Sequence, residues 1–248
     1  MREGVRFMVV LGLGLALGLP LAAAEPAKPP AWDLKLGFSY LATTGNADTS
    51  SAGFDARYVQ EWPDWGMEAN AAAVRATRNE RETAEHYNSQ VRGRRKLGDG
   101  TELTLGLRGE RNRFAGIDAR TLLDTSLLRP LFQSPYWKVQ SLTGISWTRE
   151  DPLGDRPESD NLGGLIQLQA MGKLSPTAEL TGQTTWFPDL EESDDYRFQG
   201  QLSLQAALNR HLGLRVGYDL KYDNEPVQGF HRMDTSTTAS LVVQLGRK

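Results

Sequence analysis

The chain of 248 residues has no cysteine and only three histidines, His86, His211 and His231. Without thiols there is no disulfide framework, no thiolate metal site, no cysteine nucleophile and no lipoprotein attachment point. Histidines this dispersed do not suggest a metal cluster, and no cofactor is expected. Apolar residues are scarce as well, at 39% with a mean hydropathy of −0.46, which excludes a polytopic helical membrane protein. Nor is there a basic excess. The net charge of −3 and a pI near 5.7 leave no footprint for nucleic acid.

Only one long apolar run exists, and it stands at the start. Arg2 and Arg6 form a basic region, Phe7 to Leu19 an apolar one, and Ala22-Ala23-Ala24 a small-residue cleavage site, the layout of a secretory signal peptide. The reading is a signal peptide at residues 1–24, a proline-bearing lead-in at 25–31 and one domain over 32–248.

That domain carries a different pattern. In LGLRVGYDLKY, residues 212–222, Leu212, Leu214, Val216, Tyr218, Leu220 and Tyr222 alternate with Gly213, Arg215, Gly217, Asp219 and Lys221. A period of two places the sets on opposite faces of a strand. One apolar and one charged face over such a length is what a transmembrane β-barrel strand needs. The pattern predicts further strands at Trp32–Leu41, Thr49–Trp62, Trp65–Thr77, Ala84–Arg95, Thr101–Asn112, Arg120–Phe132, Trp137–Arg149, Asn161–Leu174, Ala178–Phe187 and Tyr196–Leu208. The run 234–245 closes the last hairpin. The expectation is all-β: a single antiparallel transmembrane β-barrel of about 12 strands after a cleaved signal peptide.

Two features outside the strands agree. Short links (WPDWG, KLGDG, QSPYW, LSPTA, NRHLG) alternate with longer ones (RNERETAEH, RFAGIDAR, EDPLGDRPESD, PDLEESDDY, DNEPVQGFHRM), as periplasmic turns alternate with outer loops. The tryptophans fall at predicted strand ends: Trp32, Trp62, Trp65 and Trp137 at the short-turn end, Trp147 and Trp186 at the other. They form a candidate aromatic girdle.

By parity, the candidate lumen-lining charges are Asp55, Arg57, Arg92, Arg94, Arg108, Glu110, Asp124, Arg197, Arg215, Asp219 and Lys221. Two readings of this set compete: a polar pore that selects small solutes, or self-paired charges that fill the interior. The outer loops are acidic, with Glu150, Asp151, Asp155, Glu158 and Asp160 in one and Asp189, Glu191, Glu192, Asp194 and Asp195 in another. Divalent-cation binding is weighed there against a plain solvated surface. Arg75 and Arg111 sit on the apolar register near the outer ends, where they could meet lipopolysaccharide phosphates. No motif marks a catalytic centre, so the expectation is not an enzyme; a membrane-embedded hydrolase using His86 or His231 is the remote alternative.

Three segments, TGNADTSS (44–51), ERNRFAGIDAR (110–120) and YDNEPVQGFHRMDTSTTASLV (222–242), together with the strand spacing, resemble the YdiY-like salt-induced outer membrane protein family (domain of unknown function family 481). The resemblance implies an outer-membrane barrel in a Gram-negative type envelope, linked to salt or osmotic response, with no established activity. Its expected partners are outer-membrane lipids and lipopolysaccharide, the barrel assembly machinery, and small solutes if the lumen is a pore. The leading function is a narrow passive channel or envelope component; the rivals are a plugged, lipopolysaccharide-contacting barrel and the hydrolase.

Overall fold

The computed structural model describes residues 31–43, 49–79, 81–154 and 157–247. The signal segment predicted at 1–24 and residues 25–30 of the lead-in lie outside them, while Ala31, the last residue of that predicted lead-in, already belongs to the first strand. Twelve strands follow in chain order: β1 (Ala31–Thr43), β2 (Thr49–Glu61), β3 (Trp65–Arg78), β4 (Arg81–Gly98), β5 (Thr101–Asn112), β6 (Ile117–Gln133), β7 (Trp137–Pro152), β8 (Ser159–Lys173), β9 (Ala178–Pro188), β10 (Tyr196–Ala207), β11 (Leu212–Asp223) and β12 (Met233–Arg247). Each pairs antiparallel with its neighbour in sequence, and β1 pairs with β12, so the sheet closes into a barrel. Closure leaves no unpaired strand edge, the condition for a sheet to cross lipid.

The alternation is turned inside out relative to a water-soluble protein. On β5 the leucines at 103, 105 and 107 are 44%, 60% and 53% exposed, while Thr104 between them is 1% exposed. Phe54, Ile145, Ile166, Leu204 and Val216 also face outward. Contiguous apolar surface of this kind demands an apolar solvent, and with polar groups inside it is the surface of a transmembrane barrel. The poorly patterned stretch MEANAAAV is nonetheless strand, paired along its length with β2 and β4. Its alanines weaken the side-chain signal but not the backbone ladder.

The long links are shorter than their sequences suggest. RNERETAEH is mostly strand: β3 runs to Arg78 and β4 starts at Arg81. Likewise Glu150 and Asp151 belong to β7 and Asp160 to β8. With 18 residues, β4 rises roughly 45 Å at ~3.3 Å per residue and ~40° tilt, well past an apolar band of ~25 Å. The asymmetry between the two ends therefore lies partly in projecting strands. At the opposite end the β4–β5 turn holds Asp99 at φ 51° and Gly100 at φ 73°, the positive angles that a two-residue hairpin turn requires.

The interior is built in two ways. Along the inner wall of β6 to β9, Leu122, Leu128, Leu142, Leu165 and Phe187 pack as an apolar cluster. Elsewhere, ion pairs reach across an intervening glycine. Gly106 lies in register with both Arg92 and Asp124, and Arg92 meets Asp124 above it. A Cβ on Gly106 would stand 2.7 Å from Arg92 Nη2 and closer still to Asp124. Gly66 lies likewise beneath the Arg94–Glu61 pair, and Gly37 beneath Arg215–Asp55.

Candidate functional site: the barrel interior

Contacts between non-adjacent strands of a closed barrel run through its interior, and such contacts hold most of the charges singled out by parity. Arg92 Nη1 and Nη2 each donate to Asp124 at 2.8 Å, with Nη1 also reaching Thr104 Oγ1 at 2.8 Å. Ser126 Oγ completes the set by donating to Asp124 at 2.8 Å. Arg57 is forked onto Glu68 at 2.9 and 3.2 Å. Arg94 joins Glu61 and, at 3.3 Å, Glu102. Arg215 reaches from β11 to Asp55 on β2.

A second group spans the width of the barrel. Lys221 on β11 donates to Glu110 on β5 at 2.5 Å and lies 3.1 Å from His86 Nε2. Arg120 on β6 contacts Glu150 at 2.6 Å, Asp223 at 3.5 Å and Glu110 at 3.7 Å. Arg197 on β10 donates to Thr148 on β7 at 3.2 Å and lies 3.8 Å from Glu150. Arg108 donates at 3.3 Å to the amide oxygens of Gln90 and Gln199. Asp219 faces Gln201 in register and has no cation within 4.0 Å among the described residues.

Several partners were not in the set drawn from the sequence: Glu61, Glu68, Glu102, Arg120, Glu150 and Asp223. Glu61, Glu102 and Arg120 share the parity of charges singled out on their own strands, and Glu68 lies opposite the Met67–Ala73 register of β3, so these four could have been found by parity. Glu150 reads as loop in the sequence because its neighbours are acidic and turn-forming; in the fold it lies inside, between Arg120 and Arg197. The apolar cluster was also missed, since Leu122-Leu123 and Leu127-Leu128 are consecutive apolar pairs that blur a period of two.

At the rims, Trp62, Trp65 and Trp137 lie at the short-turn end and Trp147 and Trp186 towards the other, all 39% exposed or more; Trp32 lies near the start of β1. The Trp137 ring covers Gly172 on the neighbouring strand, and Arg95 lies 4.7 Å from the Trp65 ring centroid. Arg75 pairs with Glu82 and Arg111 with Asp118, so both outward arginines have carboxylate partners. Asp155 lies outside the described residues, and no grouping of acidic or histidine side chains among those described could hold a metal ion.

A cleft of about 40 Å³ opens at the long-loop mouth, lined by Glu150, Asn161, Asp189, Asp195, Arg197 and Asp223 among others. On the β9–β10 loop, burial alone would raise the Asp189 pKa. Backbone N–H groups of Glu192 and Glu191 and the Asn161 amide outweigh it and hold Asp189 below the usual carboxylate value. Asp195 goes the other way: burial raises it, with Asp223, Asp189 and Glu225 adding to the effect against Arg197. The depressed group stabilises the loop above its unfolded pKa of about 3.9 and stops doing so as pH falls through its lower folded value. Amide-exchange protection at Glu191 and Glu192 in detergent is therefore expected to hold at mildly acidic pH and vanish only below about pH 4.

Several known proteins are similar to this chain in sequence or in fold. Over 224 residues the chain is 25% identical to the uncharacterized protein YdiY of Escherichia coli K12, spanning 88% of this chain and 84% of that one. An outer membrane channel from Pseudomonas putida F1 superposes with a TM-score of 0.53 at 10% identity, over 93% of this chain and all of that one. The translocator domain of the autotransporter NalP from Neisseria meningitidis gives 0.44 at 13% identity, over 90% of this chain and 89% of that one. The model of the family "Protein of unknown function, DUF481" matches residues 36–245, and the chain belongs to that family.

Proposed function

We propose that the protein is an outer-membrane barrel that acts as a narrow passive channel, constricted by side chains that meet across its lumen. The observation that carries this is the belt joining opposite walls: Lys221–Glu110 and Arg120–Asp223 between β11 and β5–β6, and Arg108–Gln199 between β5 and β10. Twelve strands enclose more room than an eight-stranded barrel, whose interior its side chains just fill. The belt narrows that room with charges that, Arg108 apart, keep their own partners, so strong ion selectivity is not expected from the bore as a whole. On this reading lipids and lipopolysaccharide surround the outer face between the tryptophan girdles, the assembly machinery inserts the chain, and small solutes use the lumen. A role in salt or osmotic response fits a low, passive conductance. The chemistry is non-enzymatic.

The rival reading, a plugged structural barrel, is favoured by one observation: Leu142 and Leu165 on the inner wall are 2% and 0% exposed, so that side of the lumen is packed. Planar-bilayer recording of the refolded protein separates the two. A channel gives small discrete steps, and the double variant Glu110→Ala, Lys221→Ala enlarges them several-fold by removing two long side chains from the belt. Silence from both proteins, with heat-modifiable gel migration showing that they are folded, would establish the plug.

A further inference from the structure

Arg108 differs from the other interior arginines. Arg57, Arg92, Arg94, Arg120, Arg197 and Arg215 each have a carboxylate within 4.0 Å; among the described residues Arg108 has none. The carboxylates that act on it electrostatically, Glu110 and Asp124, are bonded elsewhere. Asp124 is forked by Arg92, and Glu110 is held by Lys221 with His86 and Arg120 beside it. The bonds Arg108 does make, to two amide oxygens at 3.3 Å, are long and neutral, and a guanidinium has five donors to satisfy.

A second cation borders the same aromatic ring. Arg108 Cζ lies 5.6 Å and Arg197 Cζ 5.8 Å from the centroid of the same Phe187 ring. The nearest charge to Arg197, Glu150 at 3.8 Å, is drawn to Arg120 at 2.6 Å. Both arginines line a void of about 10 Å³, together with Arg120, the Glu110 carboxylate, Gln199, Phe187 and Leu122. That is about the space of one water-sized probe: room for one small ion or for the head group of a small carboxylate, not for a larger solute. Three cations against one carboxylate leave that wall net positive, and a small anion in the void meets an attractive potential.

We propose that Arg108 and Arg197, flanking Phe187, form a lumenal binding site for a single small anion, either a halide or the head group of a small carboxylate. The site does not require an open channel, because access from one mouth suffices. A guanidinium fork matches a carboxylate in two bonds, whereas a halide needs only the charge.

Chloride NMR line broadening on the refolded full barrel in detergent tests this. The wild type is expected to give saturable excess broadening that acetate competes away. Arg108→Gln is expected to weaken binding by roughly tenfold or more, the usual loss for a hydrogen bond to a charged group. Arg108→Lys keeps the chloride signal and, if carboxylate is the better ligand, weakens competition by acetate. Arg95→Gln, on the outer face, controls for cations outside the lumen. Arg197→Gln reads the same site should Arg108→Gln fail to show heat-modifiable migration. No saturable broadening in the wild type, or a signal unchanged in either lumenal variant, overturns the site. The readout is independent of conductance, so a barrel silent in bilayers that still binds chloride at Arg108 sinks the channel and leaves the site standing.

Discussion

Replacing Asp124 with alanine is expected to destabilise the barrel by about 3–5 kcal/mol, the cost of leaving a buried partner charge uncompensated. Arg92 is 7% exposed and Asp124 3%, so no bulk water waits to take over. The substitution deletes two bonds of 2.8 Å from Arg92 and strands Ser126, leaving Arg92 only the Thr104 hydroxyl. The partner experiment matters more than the single variant. A buried ion pair exchanged whole for apolar groups of like volume is often neutral, so Arg92→Met with Asp124→Leu is expected to recover most of the loss. Urea unfolding of the refolded protein in detergent, followed by tryptophan fluorescence, measures both. If the double variant is as unstable as the single one, the pair is not the source of the stability assigned to it.

Gly144→Ala is expected to cost about 1–3 kcal/mol or more, the range for forcing atoms into a packed interior. Gly144 faces inward on β7, in register with Ser126 on β6 and Leu165 on β8. A Cβ there would lie 2.6 Å from Ser126 Cα and closer still to the Thr125 carbonyl oxygen. Both are backbone, so nothing can rotate away and the two strands must part. Gly93 is the internal control. It lies on the outer face of β4 with nothing within 4 Å of the added Cβ, so Gly93→Ala should fall within about 0.5 kcal/mol of the wild type. The same unfolding experiment compares the two, and equal effects would mean that interior crowding does not set the cost.

The strands were legible because lipid and lumen impose opposite demands on alternate residues. Thr101–Asn112 shows this well: Leu103, Leu105 and Leu107 hold one register and Glu102, Thr104, Arg108 and Glu110 the other, with only Thr101 and Arg111 at the strand's ends breaking it, and the observed strand has those bounds. Where both faces are polar the signal fails. Residues 81–83 of β4 project beyond the apolar band, so nothing selects their outward side chains, and backbone pairing with β3 alone makes them strand. The candidate lumen charges could be chosen by parity, but not their partners. That Lys221 meets Glu110, 111 residues away, depends on how the sheet shears and closes, a property of the whole ring rather than of any spacing. The empty space beside Arg108 follows from the same closure and has no local signature.

The Arg215–Asp55 pair arches over Gly37 and so bridges β11, β12, β1 and β2, straddling the junction where the chain's two ends meet. The β1–β12 register beneath it runs only from Trp32–Arg247 to Phe38–Leu241, whereas β1–β2 is paired throughout β1. Its partners are 160 residues apart, so nearly the whole ring must exist before they can meet, and the entropy of closing that loop falls on the last step. A contact absent from the folding transition state leaves the rate of assembly alone and slows only the rate of opening. The seam bridge thus sets how long a finished barrel lasts rather than how fast one is made.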